Sequence, residues 1–165
     1  MNDKLFELCR QMISYYHADP KRIQHFIKVH AFAKLIGQGE GLSEHDMFIL
    51  QAAAYTHDIG IKPAEELYGR CDGKLQEKLG GEPAREMLQK IGFESDDIDR
   101  IVYLIAHHHT YTDIDGIDYR ILVEADFLVN LYEDNSSKDA VLAAKNNIFR
   151  TKTGTAVLCD MFGIE

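Results

Sequence analysis

Histidine and aspartate recur in this sequence at positions where the chain otherwise has the pattern of buried helix. The dipeptide His57-Asp58 ends one apolar segment, and the triplet 107–109, three consecutive histidines, ends another. His25 precedes both, and Asp126 lies at the centre of a further apolar segment. Imidazole nitrogens and carboxylate oxygens are common ligands of divalent metals. The sequence therefore predicts a metal site between helices.

The segments that must position these residues are predicted to be helical. Apolar residues recur at intervals of three and four along nearly every segment, and we find no convincing strand-like alternation. Asp19 before Pro20 predicts the start of a helix that ends at Gly37 and carries His25. Further helices are predicted over residues 3–16, 43–60, 83–90, 96–109, 119–132, 137–151 and 154–161, with a glycine-punctuated stretch at 61–81. The chain is therefore predicted to be all-α.

Helical periodicity also predicts which histidines point inward. The apolar stripe of the segment from residue 96 includes Ile101 and Ile105, and continuing it by three and four residues reaches His108 and His109. His107 lies on the flank of that stripe. An alternative is that these histidines only end the helix and interact with its C-terminal dipole.

The same reasoning places Asp126 and His25 on buried faces. Asp126 shares a stripe with Leu122 and Val129, and His25 shares one with Val29 and other apolar residues. A buried, unpaired carboxylate is costly, so Asp126 requires a metal or a cationic partner. A buried salt bridge or cap at Asp126, and an ordinary core histidine at position 25, are the alternatives.

Composition limits the classes of function. A chain of 165 residues fits one domain, and its net charge of -9 disfavours a nucleic-acid partner. Three widely separated cysteines form neither a disulfide framework nor a thiolate zinc site. No signal peptide or membrane-spanning segment is recognisable, so we expect a soluble cytoplasmic protein.

Four segments, in order along the chain, carry a family resemblance: RIQHFIKVHAFAKLIG, AAAYTHDIG, IAHHH and VEADFL. They resemble the HD superfamily of metal-dependent phosphohydrolases, which is named for its His-Asp doublet. The first segment is similar to the family's R-x-x-H-x-x-x-V-x-x-x-A opening. The resemblance covers roughly residues 20–132. It implies a single HD domain over 1–165, a compact bundle of about six to eight helices in which the C-terminal helices 137–161 pack on the motif-bearing core.

The resemblance implies a ligand set for one divalent ion: His25, His57, Asp58 and Asp126. In family members with two metals, Asp58 would bridge both ions, and further ligands would come from the late pair His108-His109 and from an intermediate histidine. This chain has no histidine between positions 58 and 106. Spacing to the following glycine places the family's position near Glu77. Glu77 is then either an oxygen ligand or a solvated glutamate, or the second ion is missing or weakly held.

Such a site implies hydrolysis of a phosphoester or phosphoanhydride. Mixed nitrogen and oxygen ligands suit Mn²⁺, Fe²⁺, Ni²⁺, Co²⁺ or Zn²⁺, and Mg²⁺ less well. A divalent ion lowers the pKa of bound water and neutralises phosphate oxygens. Asp58 is expected to orient the attacking water. Lys62, just after the doublet, and Arg22, nearly one turn before His25, are candidate phosphate-binding residues, although Lys62 also fits a surface lysine.

The expected substrate is a nucleotide or another small phosphorylated metabolite. Two other functions are compatible with the same residues. One is oxygenase chemistry at a di-iron HD site, which needs both metals. The other is a noncatalytic nucleotide-binding sensor with a degenerate site, which the retention of all four core ligand types disfavours.

Overall fold

The architecture was obtained as a computed structural model, which describes residues 1–165 with the exception of the side chain of Asn2. Every regular element of the described chain is a helix, which confirms the predicted all-α class, and the described residues form no strand. Its helices are α1 (Asn2–Tyr15), α2 (Pro20–Gly39), α3 (Glu44–Thr56), α4 (Ile61–Tyr68), α5 (Gly73–Ile91), α6 (Ser95–Ile105), α7 (Ile117–Glu133), α8 (Lys138–Asn147) and α9 (Lys152–Phe162).

Side-chain caps start two of these helices. The Asp19 side chain accepts a hydrogen bond from the Arg22 N–H at 3.1 Å, and Pro20 occupies the first turn of α2. Ser43 Oγ accepts from the Asp46 N–H at 3.0 Å at the start of α3. Each cap satisfies a backbone donor that has no partner within the helix. The helices that carry His25 and His57 are therefore started by local sequence.

The helix α5 begins ten residues before its predicted start. Pro83 was expected to open this helix, but Asp72 caps it and Pro83 lies inside it. The intervening Gly80 permits a close approach, because a Cβ there would lie 2.8 Å from Ile105 Cγ2 of α6. Packing of α5 against α6 at Gly80 thus outweighs the preference of proline for the first turn of a helix, and Pro83 lies in the helix interior.

The central helices of the bundle are the ones that carry the predicted ligands. The helix α2 packs against α3 and α7, and α3 also packs against α6 and α7. The helices α1, α4 and α5 cover one side, and α8 and α9 pack against α7. Fully buried side chains such as Phe26, Leu50, Ile101 and Leu122 fill the space between these helices. None of the described helices has the combination of length and apolar character that crossing a membrane requires.

Glu124 shows how the C-terminal helices attach to this core. Its position about 200° around the helix from Leu122 predicts that it faces outward as a surface charge. This prediction is wrong, because its side chain is fully buried. Its carboxylate accepts hydrogen bonds from the backbone N–H groups of Arg150 at 2.7 Å and Thr151 at 3.0 Å. The segment that leads into α9 therefore covers the face of α7 that periodicity alone leaves open.

Acid is expected to destabilise the fold partly through His30. Its ring stacks on Tyr55, with ring centroids 3.9 Å apart, and Nε2 bonds Gln51 Oε1 at 3.1 Å. Burial lowers the pKa of His30 from 6.5 to about 4. Between pH 6.5 and pH 4, His30 is therefore protonated in the unfolded chain but remains neutral in the folded protein. The free energy of unfolding should fall between pH 6.5 and 4 by up to about 1.4 kcal/mol per pH unit from this group.

Urea unfolding of metal-free wild type and His30→Phe at pH 7 and pH 5 measures this contribution. The variant keeps a stacked aromatic ring and should lose less stability between the two pH values. An equal loss in both proteins would contradict the assignment of this acid sensitivity to His30.

Candidate metal centre

Donor atoms from three central helices meet at one point. His25 projects from α2, His57 and Asp58 follow α3, and Asp126 lies on α7. His25 Nε2 is 3.2 Å from Asp126 Oδ1, 3.3 Å from Asp58 Oδ2 and 3.3 Å from His57 Nε2. His57 Nε2 is 3.4 Å from Asp58 Oδ2 and 3.6 Å from Asp126 Oδ1.

These separations fit a single cation. Nitrogen and oxygen ligands about 2.0–2.2 Å from one ion lie roughly 3.0–3.5 Å from each other in tetrahedral or octahedral geometry. The donor set of two imidazoles and two carboxylates also fits a divalent transition metal. The structure thus brings together the four residues that the family resemblance implies.

In His25, His57 and His108 the Nδ1 atom has a partner that orients the ring. The Nδ1 atom of His57 lies 2.9 Å from Ala54 O, and that of His108 lies 2.7 Å from Ile105 O. His25 Nδ1 lies 3.0 Å from Glu133 Oε2. Each Nδ1–H donates to its oxygen, so the lone pair of Nε2 is directed into the site.

Asp58 faces a second group of donors with its other oxygen. Oδ1 lies 3.4 Å from His108 Nε2, and Asp58, His108 and His109 form a separate cluster with metal-ligand spacing. His108 Nε2 is buried and has no hydrogen-bond partner among the described residues. A buried nitrogen without a partner is costly, and a metal ion would satisfy it. One carboxylate oxygen of Asp58 thus faces each of the two donor clusters.

The charges of the centre depend on one another. Burial raises the pKa of the Asp58 carboxyl, but the neighbouring His57 and His108 outweigh burial and hold this pKa well below its usual range. Burial lowers the pKa of His57, and the two carboxylates outweigh it, so the net pKa is well above 6.5. The carboxylates are thus ionised at neutral pH and attract positive charge, which protons or a metal ion can supply.

Glu77 lies close to the second cluster but has other partners. Its Oε1 accepts hydrogen bonds from the His109 N–H at 3.0 Å and from Thr110 Oγ1 at 2.9 Å. The preceding residue, Gln76, lines the cavity at the centre, and its Oε1 lies 2.9 Å from His109 Nε2. Gln76, and not the predicted Glu77, therefore lines the cavity. Glu77 belongs to neither donor cluster.

The two candidate phosphate-binding residues differ in position. Arg22 lines the cavity, where it pairs with Asp19 at 3.0 Å and with Glu65 at 2.5 Å. Lys62 Nζ instead donates to Tyr15 O at 3.1 Å, and Lys62 lines a neighbouring pocket. Lys62, in the first turn of α4, is thus directed toward the end of α1. A substrate contact by Lys62 stays a prediction.

The cavity at the centre has a volume of about 300 Å³. Its lining comprises Asp19, Lys21, Arg22, His25, Asp58, Ile61, Gln76, His109, Asp126, Asn130, Glu133 and Asp134. A larger cavity of about 550 Å³ lies at α1, α2 and α3, but it contains neither donor cluster.

Several cavity residues were missed by sequence reasoning. Asn130 and Glu133 follow Asp126 at intervals of four and seven, so the stripe that identified Asp126 also contained them. Asn130 Nδ2 donates to Asp126 Oδ1 at 2.9 Å. Lys21 precedes Arg22 at the cavity rim and has no ion pair among the described side chains. Only the structure shows that these residues surround the donors.

Removal of the Glu133 carboxylate is expected to weaken metal binding. Glu133 accepts from His25 Nδ1 at 3.0 Å and is itself paired with Lys28 Nζ at 2.7 Å. Loss of such a supporting group typically lowers metal affinity about 10–100-fold. Glu133→Ala should show this loss in a metal titration. Glu133→Gln, which keeps an acceptor oxygen, should lose less.

The exposed Glu82 on α5 supplies the matched control. Glu82→Ala should bind metal as the wild type does. Equal metal affinity in Glu133→Ala and wild type would show that Glu133 does not orient His25.

The comparisons with known proteins agree with this geometry. The model of the HD domain family matches residues 22–145. The chain is similar to the crystal structure of a predicted HD superfamily hydrolase from an uncultured Thermotogales bacterium, at 25% identity and a TM-score of 0.65. That alignment covers 99% of this chain and 85% of the other. No curated protein matches the sequence significantly.

The matched range contains both donor clusters and more than half of the chain. The similar structure spans nearly all of this chain, so the helices that flank the motifs share the fold. The donor atoms of the doublet meet those of α2 and α7 as the family resemblance implied. On this evidence, the chain belongs to the HD domain family.

Proposed function

We propose that this protein is a metal-dependent phosphohydrolase that cleaves a small phosphorylated metabolite. The observation that carries the proposal is the position of Asp58 between two donor clusters in a cavity with two cationic side chains. Membership of the HD family and similarity to a predicted hydrolase support hydrolytic chemistry. We propose one or two divalent ions as the cofactor.

A divalent ion at this centre would lower the pKa of a water molecule and neutralise charge on the phosphate oxygens. The protein's own residues would orient the attacking water and hold the donor atoms in position. Asp58 stays ionised beside His57 and His108, and it would accept a hydrogen bond from the attacking water and orient it. Asn130 holds Asp126 through the 2.9 Å hydrogen bond, which keeps the donor oxygens in place.

The two cationic side chains of the cavity, Lys21 and Arg22, would bind the phosphate group. Lys21 lies at the start of α2 and has no ion pair among the described side chains, so its ammonium group is available to a phosphate. Arg22 is shared between two carboxylates and would contribute less. In the reaction a bond forms between the water oxygen and phosphorus, the ester P–O bond breaks, and the leaving alcohol takes a proton.

The cavity also bears on the size of the substrate. A net charge of -9 repels polyanions, and a cavity of about 300 Å³ fits a small molecule. A small phosphorylated metabolite is therefore a better substrate than a nucleic acid.

The proposal is tested with protein stripped of metal by a chelator and reloaded separately with Mn²⁺, Fe²⁺, Ni²⁺, Co²⁺, Zn²⁺ or Mg²⁺. Release of phosphate from p-nitrophenyl phosphate and from a panel of phosphorylated metabolites is then measured. We expect release that requires metal and is lost in Asp126→Ala. The exposed Asp160 on α9 gives the control, and Asp160→Ala should retain full activity.

The alternative functions give different results in the same assay. Oxygen consumption by the ferrous protein without phosphate release would favour an oxygenase. Nucleotide binding without turnover under any metal would indicate a sensor. Either result would overturn the phosphohydrolase proposal.

A further inference from the structure

We infer that the substrate of this cavity is the phosphate ester of a sugar or another polyol, and not a nucleotide. This inference rests on the proposed phosphohydrolase function and narrows its substrate class. It follows from the chemistry of the cavity lining, from the pairing of its charges and from its volume.

The lining offers no surface for a nucleobase. Pockets for nucleobases usually stack the base on aromatic or apolar side chains. Among the described residues that line the cavity, Ile61 is the only aliphatic one, and there is no Phe, Tyr or Trp. The rings of His25 and His109 have other partners. His25 Nε2 belongs to the donor cluster, and a Cβ added at Gly73 would lie 2.9 Å from His109 Cγ, so that ring is already packed.

The lining instead offers hydrogen-bonding groups that suit the hydroxyls of a substrate. Hydroxyls donate to carboxylate and amide oxygens and accept from ammonium groups. Asp134 is exposed and has no ion pair among the described side chains, so its carboxylate is available to accept. Asn130 uses Nδ2 on Asp126, and no described side chain bonds its amide oxygen.

The balance of charge disfavours a cationic substrate such as an amino-alcohol phosphate. Of the other carboxylates in the lining, Asp19 pairs with Arg22 at 3.0 Å, and Glu133 pairs with Lys28 at 2.7 Å. Asp58 and Asp126 belong to the donor clusters. Most of the negative charge is therefore already compensated, and a neutral hydroxylated group fits better than an ammonium group.

The volume of the cavity also favours a sugar or polyol phosphate over a nucleotide. Small-molecule sites typically range from about 300 to 1,000 Å³, and this cavity of about 300 Å³ is at the lower end. The phosphate and any bound ion must share that space. What is left suits a short polyol or a single sugar ring better than a sugar with a base attached.

The test compares kcat/KM of the metal-loaded wild type on matched phosphomonoesters. The probes are ribose 5-phosphate, glucose 6-phosphate and glycerol phosphate, the nucleoside 5′-monophosphates, phosphoethanolamine, and p-nitrophenyl phosphate as a general reporter. We expect kcat/KM for the best sugar or polyol phosphate to exceed that for every nucleotide at least tenfold.

A pair of variants ties the preference to the cavity. In Asp134→Ala the ratio of kcat/KM on the best sugar phosphate to that on p-nitrophenyl phosphate should fall about tenfold, as expected for one lost hydrogen bond to a charged group. In the control Asp139→Ala, an exposed position on α8, this ratio should stay as in the wild type.

The outcomes separate the two proposals. A nucleotide or phosphoethanolamine preferred over every sugar phosphate, or a difference below tenfold, would overturn the inference while turnover of p-nitrophenyl phosphate upheld the phosphohydrolase. An unchanged ratio in Asp134→Ala would also overturn it. No turnover of any probe under any metal would overturn the phosphohydrolase proposal itself.

Discussion

Asp58→Ala is expected to lose both metal and hydrolytic activity while it keeps its helical content. One oxygen of Asp58 lies 3.3 Å from His25 Nε2, and the other lies 3.4 Å from His108 Nε2. Among the described side chains, only that of Asp58 takes part in both donor clusters. Mutation of a residue that only supports a metal ligand typically lowers metal affinity or activity about 10–100-fold. Removal of the Asp58 carboxylate, which is itself a predicted ligand, should therefore lower both by more than about 100-fold.

The fold should survive because Asp58 contributes to it through its backbone. Its carbonyl accepts hydrogen bonds from Tyr16 OH at 2.6 Å and from the Ile61 N–H at 3.0 Å, and both remain in the alanine variant. Metal content by elemental analysis, phosphate release and far-UV circular dichroism test the three parts of the prediction. An unchanged hydrolysis rate with Asp58→Ala would refute the assignment of this site.

Gly60→Ala is expected to destabilise the protein and disturb the metal centre together. A Cβ at Gly60 would lie 2.3 Å from Gln76 O and 2.9 Å from the backbone nitrogen of Gly80. Both are backbone atoms of α5, so the clash can be relieved only by moving the helix. Overpacking of this kind costs about 1–3 kcal/mol. Since Gly60 follows the His-Asp doublet by two residues, metal affinity should fall as well.

Gly81→Ala is the matched control on α5. A Cβ there would meet the side-chain atom Val102 Cγ1 at 3.3 Å, and alanine in a helix is favoured over glycine by roughly 0.5–1 kcal/mol. Urea unfolding and a metal titration should therefore show a loss for Gly60→Ala and no loss for Gly81→Ala. Equal stability of Gly60→Ala and wild type would show that α4 and α5 are not in close contact.

The predicted ligands were accessible to sequence reasoning because their determinants are local. The Asp19 cap and the Ser43 cap start two of the ligand-bearing helices, and a helical stripe places Asp126 on a buried face. Local periodicity is dictated by the 3.6-residue turn, which needs no knowledge of neighbouring helices. The order of the motifs along the chain then indicated the family.

Some errors arose where a helix is positioned by contacts distant in sequence. Pro83 looked like a helix start, but α5 extends back to Asp72 because Gly80 packs closely against α6. Glu124 looked exposed because the segment that buries it lies 26 residues further along the chain. Each depends on a partner that no local pattern identifies.

By itself, the sequence determined an all-helical chain, the caps that start its helices, and a set of nitrogen and oxygen donors with the family's order. Only the tertiary structure decided that Gln76, and not Glu77, lines the cavity, that Lys62 turns toward Tyr15, and that Glu133 orients His25. The physical reason is that a helical pattern defines which face of a helix is apolar. Which atoms meet across that face depends on the packing of all the helices at once.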